Sequence, residues 1–103
     1  MKKVLIGVVA ASALLLAGGA QASAELAKNS GCLNCHTVDT KLVGPALKEV
    51  AAKYADKPDA SEYLTDKIIK GSSGVWGPVP MPANNQVSEA EARTLVKWIL
   101  SQK

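Results

Sequence analysis

The chain is 103 residues long, about half apolar and one-fifth charged, with a formal net charge of +3. That length holds one small domain, and its basic and acidic residues are interspersed without a block of like charge, which gives no footing for a nucleic-acid surface. Phe is absent, and the aromatic residues are only Tyr54, Tyr63, Trp76 and Trp98, so the core has little bulk to draw on.

Residues 1–22 read as a secretory signal. Lys2 and Lys3 form a charged start, Val4 to Ala17 an apolar stretch, and Gly18 and Gly19 break it before the small-x-small site Ala20-Gln21-Ala22. An uncleaved membrane anchor is the competing reading, because no charge occurs from Val4 to Ala24. The apolar run is short for a hydrocarbon core of ~30 Å. No Cys sits at the cleavage point, so a bacterial lipid anchor has no support. The expectation is export to the periplasm with cleavage after Ala22. Removing 22 of 103 residues leaves 81, Ser23 to Lys103, as a single domain. Without Lys2 and Lys3, ten basic residues face nine acidic ones, a balance of +1. A domain of this size is close to the limit at which a core alone sustains a fold.

A short helix over Ala24–Lys28 leads into Gly31, which permits a close turn, and then into Cys32-Leu33-Asn34-Cys35-His36. A C-x-x-C-H run predicts covalent attachment of a c-type haem: the two thiols reach the two vinyl groups and the histidine faces the iron. Both cysteines of the chain, and its single histidine, fall within these five residues. A structural zinc site needs four ligands. A thioredoxin-like C-x-x-C belongs beside a βαβ pattern that this chain lacks, and a simple Cys32–Cys35 disulfide leaves His36 without a role. A buried porphyrin would also supply the apolar bulk that the composition withholds.

After His36 a polar, irregular stretch runs to Pro45. Residues Ala46–Tyr54 suit a helix with Leu47, Val50, Ala51 and Tyr54 on one face, started by Pro45 and interrupted by the segment around Pro58. A third helix is predicted over Ala60–Lys70. It has Asp59 and Glu62 as a D-x-x-E start, Leu64, Ile68 and Ile69 as its stripe, and Gly71 as its stop. From Gly71 to Asn85, three Gly and three Pro exclude helix and central strand. The last helix follows a capping box at Ser88 to Glu91, with Ala92, Leu95, Val96, Ile99 and Leu100 at helical spacing. Trp98 is expected to pack on the N-terminal helix or the haem. The fold class is all-α, about four short helices around one haem.

Met81, the one methionine left after cleavage, lies between Pro80 and Pro82 in the Pro-rich loop. A methionine is ordinarily core filler, but flanking prolines restrain the backbone enough to hold a thioether against iron. With His36 it would fill both axial positions, favouring ferrous iron and outer-sphere one-electron transfer over substrate activation. A peroxidase-like or gas-binding protein, with Met81 off the iron, is the enzyme alternative. A haem-free thiol module is the third.

Beyond the attachment motif, the chain carries Asp39-Thr40-Lys41, Val43-Gly44-Pro45, Gly74 to Pro78, Pro80-Met81-Pro82, Lys97-Trp98 and the ending Leu100 to Lys103. In these it resembles the class I c-type cytochromes, specifically the short bacterial cytochrome c-551 (cytochrome c8) type, over essentially the whole chain after the signal. The resemblance implies a monohaem electron carrier, not an enzyme, running from a quinol-oxidising complex to a nitrite reductase or terminal oxidase. It implies that the Pro45 carbonyl accepts from His36, that Trp76 donates to a haem propionate, and that Asn84 bonds near the Met81 sulfur. It places Lys67 near the inner propionate, where family members often carry Arg or His; Lys lacks the forked donors of Arg. A docking patch of Leu33, Leu42, Pro80 and Pro82 is implied, with Lys28 and Lys41 beside it as steering charges or as ordinary solvated surface. A monomer is the expectation for a diffusing carrier. Chain exported with its maturation machinery intact should stain for haem after denaturing electrophoresis; an unstained band would reject covalent attachment.

Overall fold

The computed structural model describes residues 21–103. All but the last two residues of the expected signal, 1–22, therefore lie outside the described residues. Among those described, no helix is long and apolar enough to cross a membrane. Residues 21–29 are helical (α1), and a 3-10 turn follows at Cys32–Asn34. Three helices complete the fold: α2 at Leu47–Tyr54, α3 at Ala60–Lys70 and α4 at Glu89–Leu100. Among the described residues the only extended pairing is an isolated antiparallel bridge between Ser72 and Met81.

The last helix is the spine. Its capping box forms as the sequence predicts: the Glu91 amide donates to the Ser88 hydroxyl at 3.1 Å, and the Ser88 amide donates to the Glu91 carboxylate at 3.0 Å. Two amides that the first turn cannot pair internally are thereby satisfied. Both α2 and α3 pack on α4. Leu95 and Val96 are almost wholly enclosed at this junction, and one core cluster joins them to Val50, Tyr54, Leu64 and Ile68. Ala27 of α1 belongs to the same cluster, so the helix before the haem motif is fastened to the C-terminal one.

The starts of α2 and α3 carry no side-chain cap and use backbone partners. At α2, Ala46 occupies the cap position without a side-chain bond. The Leu47 and Lys48 amides instead donate to the carbonyls of Thr37 and Val38, at 2.9 and 3.1 Å. A Lys48–Asp39 ion pair at 2.6 Å lies beside them. At α3 the boundary is where the D-x-x-E pattern places it, but the predicted mechanism is absent. Asp59 makes no side-chain cap bond, and its φ of −97° and ψ of 9° are turn-like. The first helical amide, that of Ala60, donates instead to the Lys57 carbonyl at 3.2 Å. Ile69 is only partly buried, so the α3 stripe narrows to Leu64 and Ile68, joined by Ala60. Buried Thr65 is satisfied by donating to the Ser61 carbonyl at 2.7 Å. Arg93 reaches Glu89 at 3.3 Å and Glu62 at 3.8 Å, but all three are exposed, and such pairs contribute little.

Leu95→Ala should cost about 2–5 kcal/mol in denaturant unfolding, because the residue is enclosed at the three-helix junction. A loss below about 1 kcal/mol would show that α4 is not the spine.

Candidate haem site

The attachment motif is a single tight turn. Gly31 takes a left-handed φ of 81°, a conformation other residues adopt only at a cost. The Cys35 and His36 amides both donate to the Cys32 carbonyl, at 3.2 and 3.0 Å. Both thiols are free and partly exposed. Burial pushes the Cys32 thiol above its ordinary value, opposed by a backbone hydrogen bond.

His36 is held from two sides. Its Nδ1 lies 2.7 Å from the Pro45 carbonyl oxygen. A carbonyl only accepts, so Nδ1 carries the proton and Nε2 keeps its lone pair. Behind the ring stands Gly44. A Cβ there would come within 2.6 Å of His36 Cε1 and 2.9 Å of Nδ1. The Gly44 amide donates to the Cys35 carbonyl at 2.7 Å, strapping this segment to the attachment turn. The steric role of Gly44 was not readable from the chain, because nothing local marks a glycine whose φ is ordinary.

Met81 sits at the neck of a loop. Its amide donates to the Ser72 carbonyl at 2.8 Å, and the Ser72 amide returns a bond at 3.0 Å. Gly71, with φ of 81°, ends α3 so closely that a Cβ would lie 2.6 Å from the Met81 carbonyl oxygen. On the far side of Met81, the Asn84 backbone amide donates to the Ile68 carbonyl at 2.9 Å. The Asn84 side chain, matched by resemblance to a partner of the sulfur, donates to the Ile68 carbonyl at 3.2 Å and, at the longer 3.5 Å, to the Pro82 carbonyl. Its contacts in this structure are to backbone. Gln86, which the sequence did not single out, donates to the Ser30 carbonyl at 3.1 Å and ties the loop to the attachment turn.

These segments meet around a cleft with two compartments. His36, Met81, Pro45 and Trp76 line both. Cys32, Leu64, Ile68, Leu95 and Trp98 line the inner one; Cys35, Val43, Gly44 and Val79 line the outer one. Trp98 thus faces the inner compartment alongside Ala27 of α1, in keeping with the sequence expectation. Lys67 also lines the inner compartment, with Nζ 5.1 Å from the Tyr63 ring centre. Trp76 remains 37% exposed. Of the expected docking residues, Leu42 is 52% exposed, and Pro80, Pro82, Lys28 and Lys41 are exposed. Leu33 differs, being partly buried against the core cluster. Val43 and Val79 are exposed apolar residues lining the outer compartment, and neither is among the expected docking residues.

An imidazole with a free Nε2, a thioether and two thiols around one largely apolar cleft are donors that suit a flat, apolar, iron-bearing macrocycle. Their helical setting defines a small haem-binding domain. The family model for cytochrome c matches residues 20–103, and the chain belongs to that family. It is 61% identical over the full length of both chains to cytochrome c-552 of Nitrosomonas europaea. It is 56% identical to cytochrome c-551 of Pseudomonas aeruginosa over 90% of each chain. The crystal structure of wild-type Nitrosomonas europaea cytochrome c552 superimposes with a TM-score of 0.76, covering 78% of this chain and 99% of that one. The protein is a small monohaem cytochrome c, an electron carrier and not an enzyme, with covalently bound haem c.

Gly44→Ala should displace the His36 ring, with an overpacking cost of about 1–3 kcal/mol in denaturant unfolding. Wild-type stability in this variant would mean that the ring can yield without loss.

Proposed function

We propose that the chain is a periplasmic electron carrier whose haem is fastened by Cys32 and Cys35 and ligated axially by His36 and Met81. The observation that carries this reading is that His36 and Met81 line both compartments of one cleft, with Cys32 on one compartment and Cys35 on the other. When bound, the haem supplies one-electron ferric–ferrous chemistry. The chain's residues set the terms. Hydrogen bonding to Pro45 fixes the His36 tautomer and raises the basicity of Nε2. The thioether of Met81 favours the ferrous state and so a higher potential. Its backbone is restrained by the paired bonds to Ser72 and by prolines on both sides. Held by His36 on one side and Met81 on the other, the iron would have no open place for substrate, which suits one-electron exchange at the cleft edge.

The partner side of the reading rests on exposed apolar residues. Leu42, Pro80 and Pro82, with Leu33 at their margin, would exclude water from a docked partner, while Lys28 and Lys41 steer encounter. The donor and acceptor are proposed as a quinol-oxidising complex and a nitrite reductase or terminal oxidase, and the carrier itself as a monomer. Trp76 and Lys67 are assigned to the haem propionates and Asn84 to the setting of Met81. Lys67 is supported by its place in the wall of the inner compartment. Export with cleavage after Ala22 completes the proposal.

The oxidised protein should show a weak far-red sulfur-to-iron charge-transfer band that disappears in Met81→Ala. A high-spin ferric spectrum of the wild type would overturn the ligation. Lys67→Ala should mainly change the dependence of reduction potential on pH; a superimposable curve would remove Lys67 from the propionate role.

A further inference from the structure

Residues 73–80 form an arm with few attachments. Its ends are joined by the Ser72–Met81 bridge, but among the described residues no backbone hydrogen bond is made by any residue from 73 to 80. Gly74 and Gly77 both take positive φ, 75° and 121°, and a Cβ at either would meet open space. Packing therefore does not confine the arm at its two glycines. Yet Trp76, between them, lines both compartments of the cleft and must be held in place to do so. What reaches it is Lys53. This residue lies in the last turn of α2, and its Nζ sits 4.4 Å from the Trp76 ring centre. That distance is well within the range at which the negative face of an indole attracts an ammonium group. The same Nζ lies 5.7 Å from the ring centre of Tyr54, whose own ring packs 5.5 Å from that of Tyr63. The cation is thus within reach of both an arm aromatic and a buried aromatic of the helix core.

We propose that Lys53 is a positioning residue that clasps the 73–80 arm to α2 through the face of Trp76, and so keeps the outer wall of the cleft in place. A lysine suits the task because its stem lies along the helix while its charged tip stays at the surface. The flanking glycines give the arm the freedom to reach the clasp and to leave it. This inference extends the carrier reading to the wall of the same cleft. Its redox consequence rests on that reading; its structural content does not.

The test compares wild type, Lys53→Met and Lys53→Arg as ferrous holoproteins by NMR relaxation. Lys53 is exposed, so neither substitution disturbs the core. In the wild type the amides of 73–80 and the Trp76 indole N–H should have order parameters near those of rigid backbone, about 0.85. In Lys53→Met they should fall toward the flexible range, below about 0.6, and Lys53→Arg should restore them. The reduction potential should fall in Lys53→Met, because water admitted at the wall favours the more charged ferric form, and Lys53→Arg should hold it. Unchanged order parameters in Lys53→Met would overturn the clasp, even if the potential fell, since charge alone would then account for the fall. Failure of Lys53→Arg to restore rigidity would also overturn it. The far-red sulfur band is read separately in the oxidised proteins, so loss of the Met81 reading and loss of the clasp are told apart.

Discussion

The 2.7 Å contact between His36 Nδ1 and the Pro45 carbonyl orders more than one imidazole. Pro45 is followed by the first residues of α2, whose leading amides are themselves paired with the carbonyls of Thr37 and Val38. Gly44 stands against the ring and donates back to Cys35. The attachment turn, the histidine and the start of α2 therefore form one closed circuit of hydrogen bonds. A shift in any member would be felt at Nε2. Because α2 in turn packs on α4, the ring's orientation is referred to the core and not to a surface loop.

The opposite wall is organised by the end of α3. Gly71 lets the chain reverse close to Met81, and the Ile68 carbonyl collects both the backbone and the side-chain amide of Asn84. Ile68 itself is core. The methionine segment thus hangs from one buried turn of one helix, with Gln86 providing a second tie, to Ser30. Each wall of the cleft has its own anchor, and α4 carries both. This division explains how a domain without Phe keeps two separated donors facing a common space.

Much of this was legible in the chain. The capping box at Ser88, the apolar spacing of α2 and α4 and the stop at Gly71 are local signals, and each element lies where they put it. The C-x-x-C-H motif and Met81 between prolines marked candidate donors by composition and spacing, and these residues line one cleft. What escaped the reading is what depends on distant residues. The α3 start has the right place but lacks the Asp59 side-chain cap, its leading Ala60 amide pairing with the Lys57 carbonyl. The steric fit of Gly44 to His36, the Gln86–Ser30 tie and the Lys53–Trp76 contact link residues with no periodic relation. Leu33 reads as a surface residue beside the motif, yet it turns toward the core because the 3-10 turn directs it there.

The Ser72–Met81 bridge separates two properties that a loop usually mixes. Because the methionine backbone is paired at the neck, its place is set by α3 and the bridge, while the intervening arm carries the outer wall of the cleft. Arm length and composition can then drift, or be engineered, with little displacement of the thioether. Surface identity and the setting of Met81 can evolve on separate schedules in the same sixteen-residue stretch between α3 and the Val87 core contact.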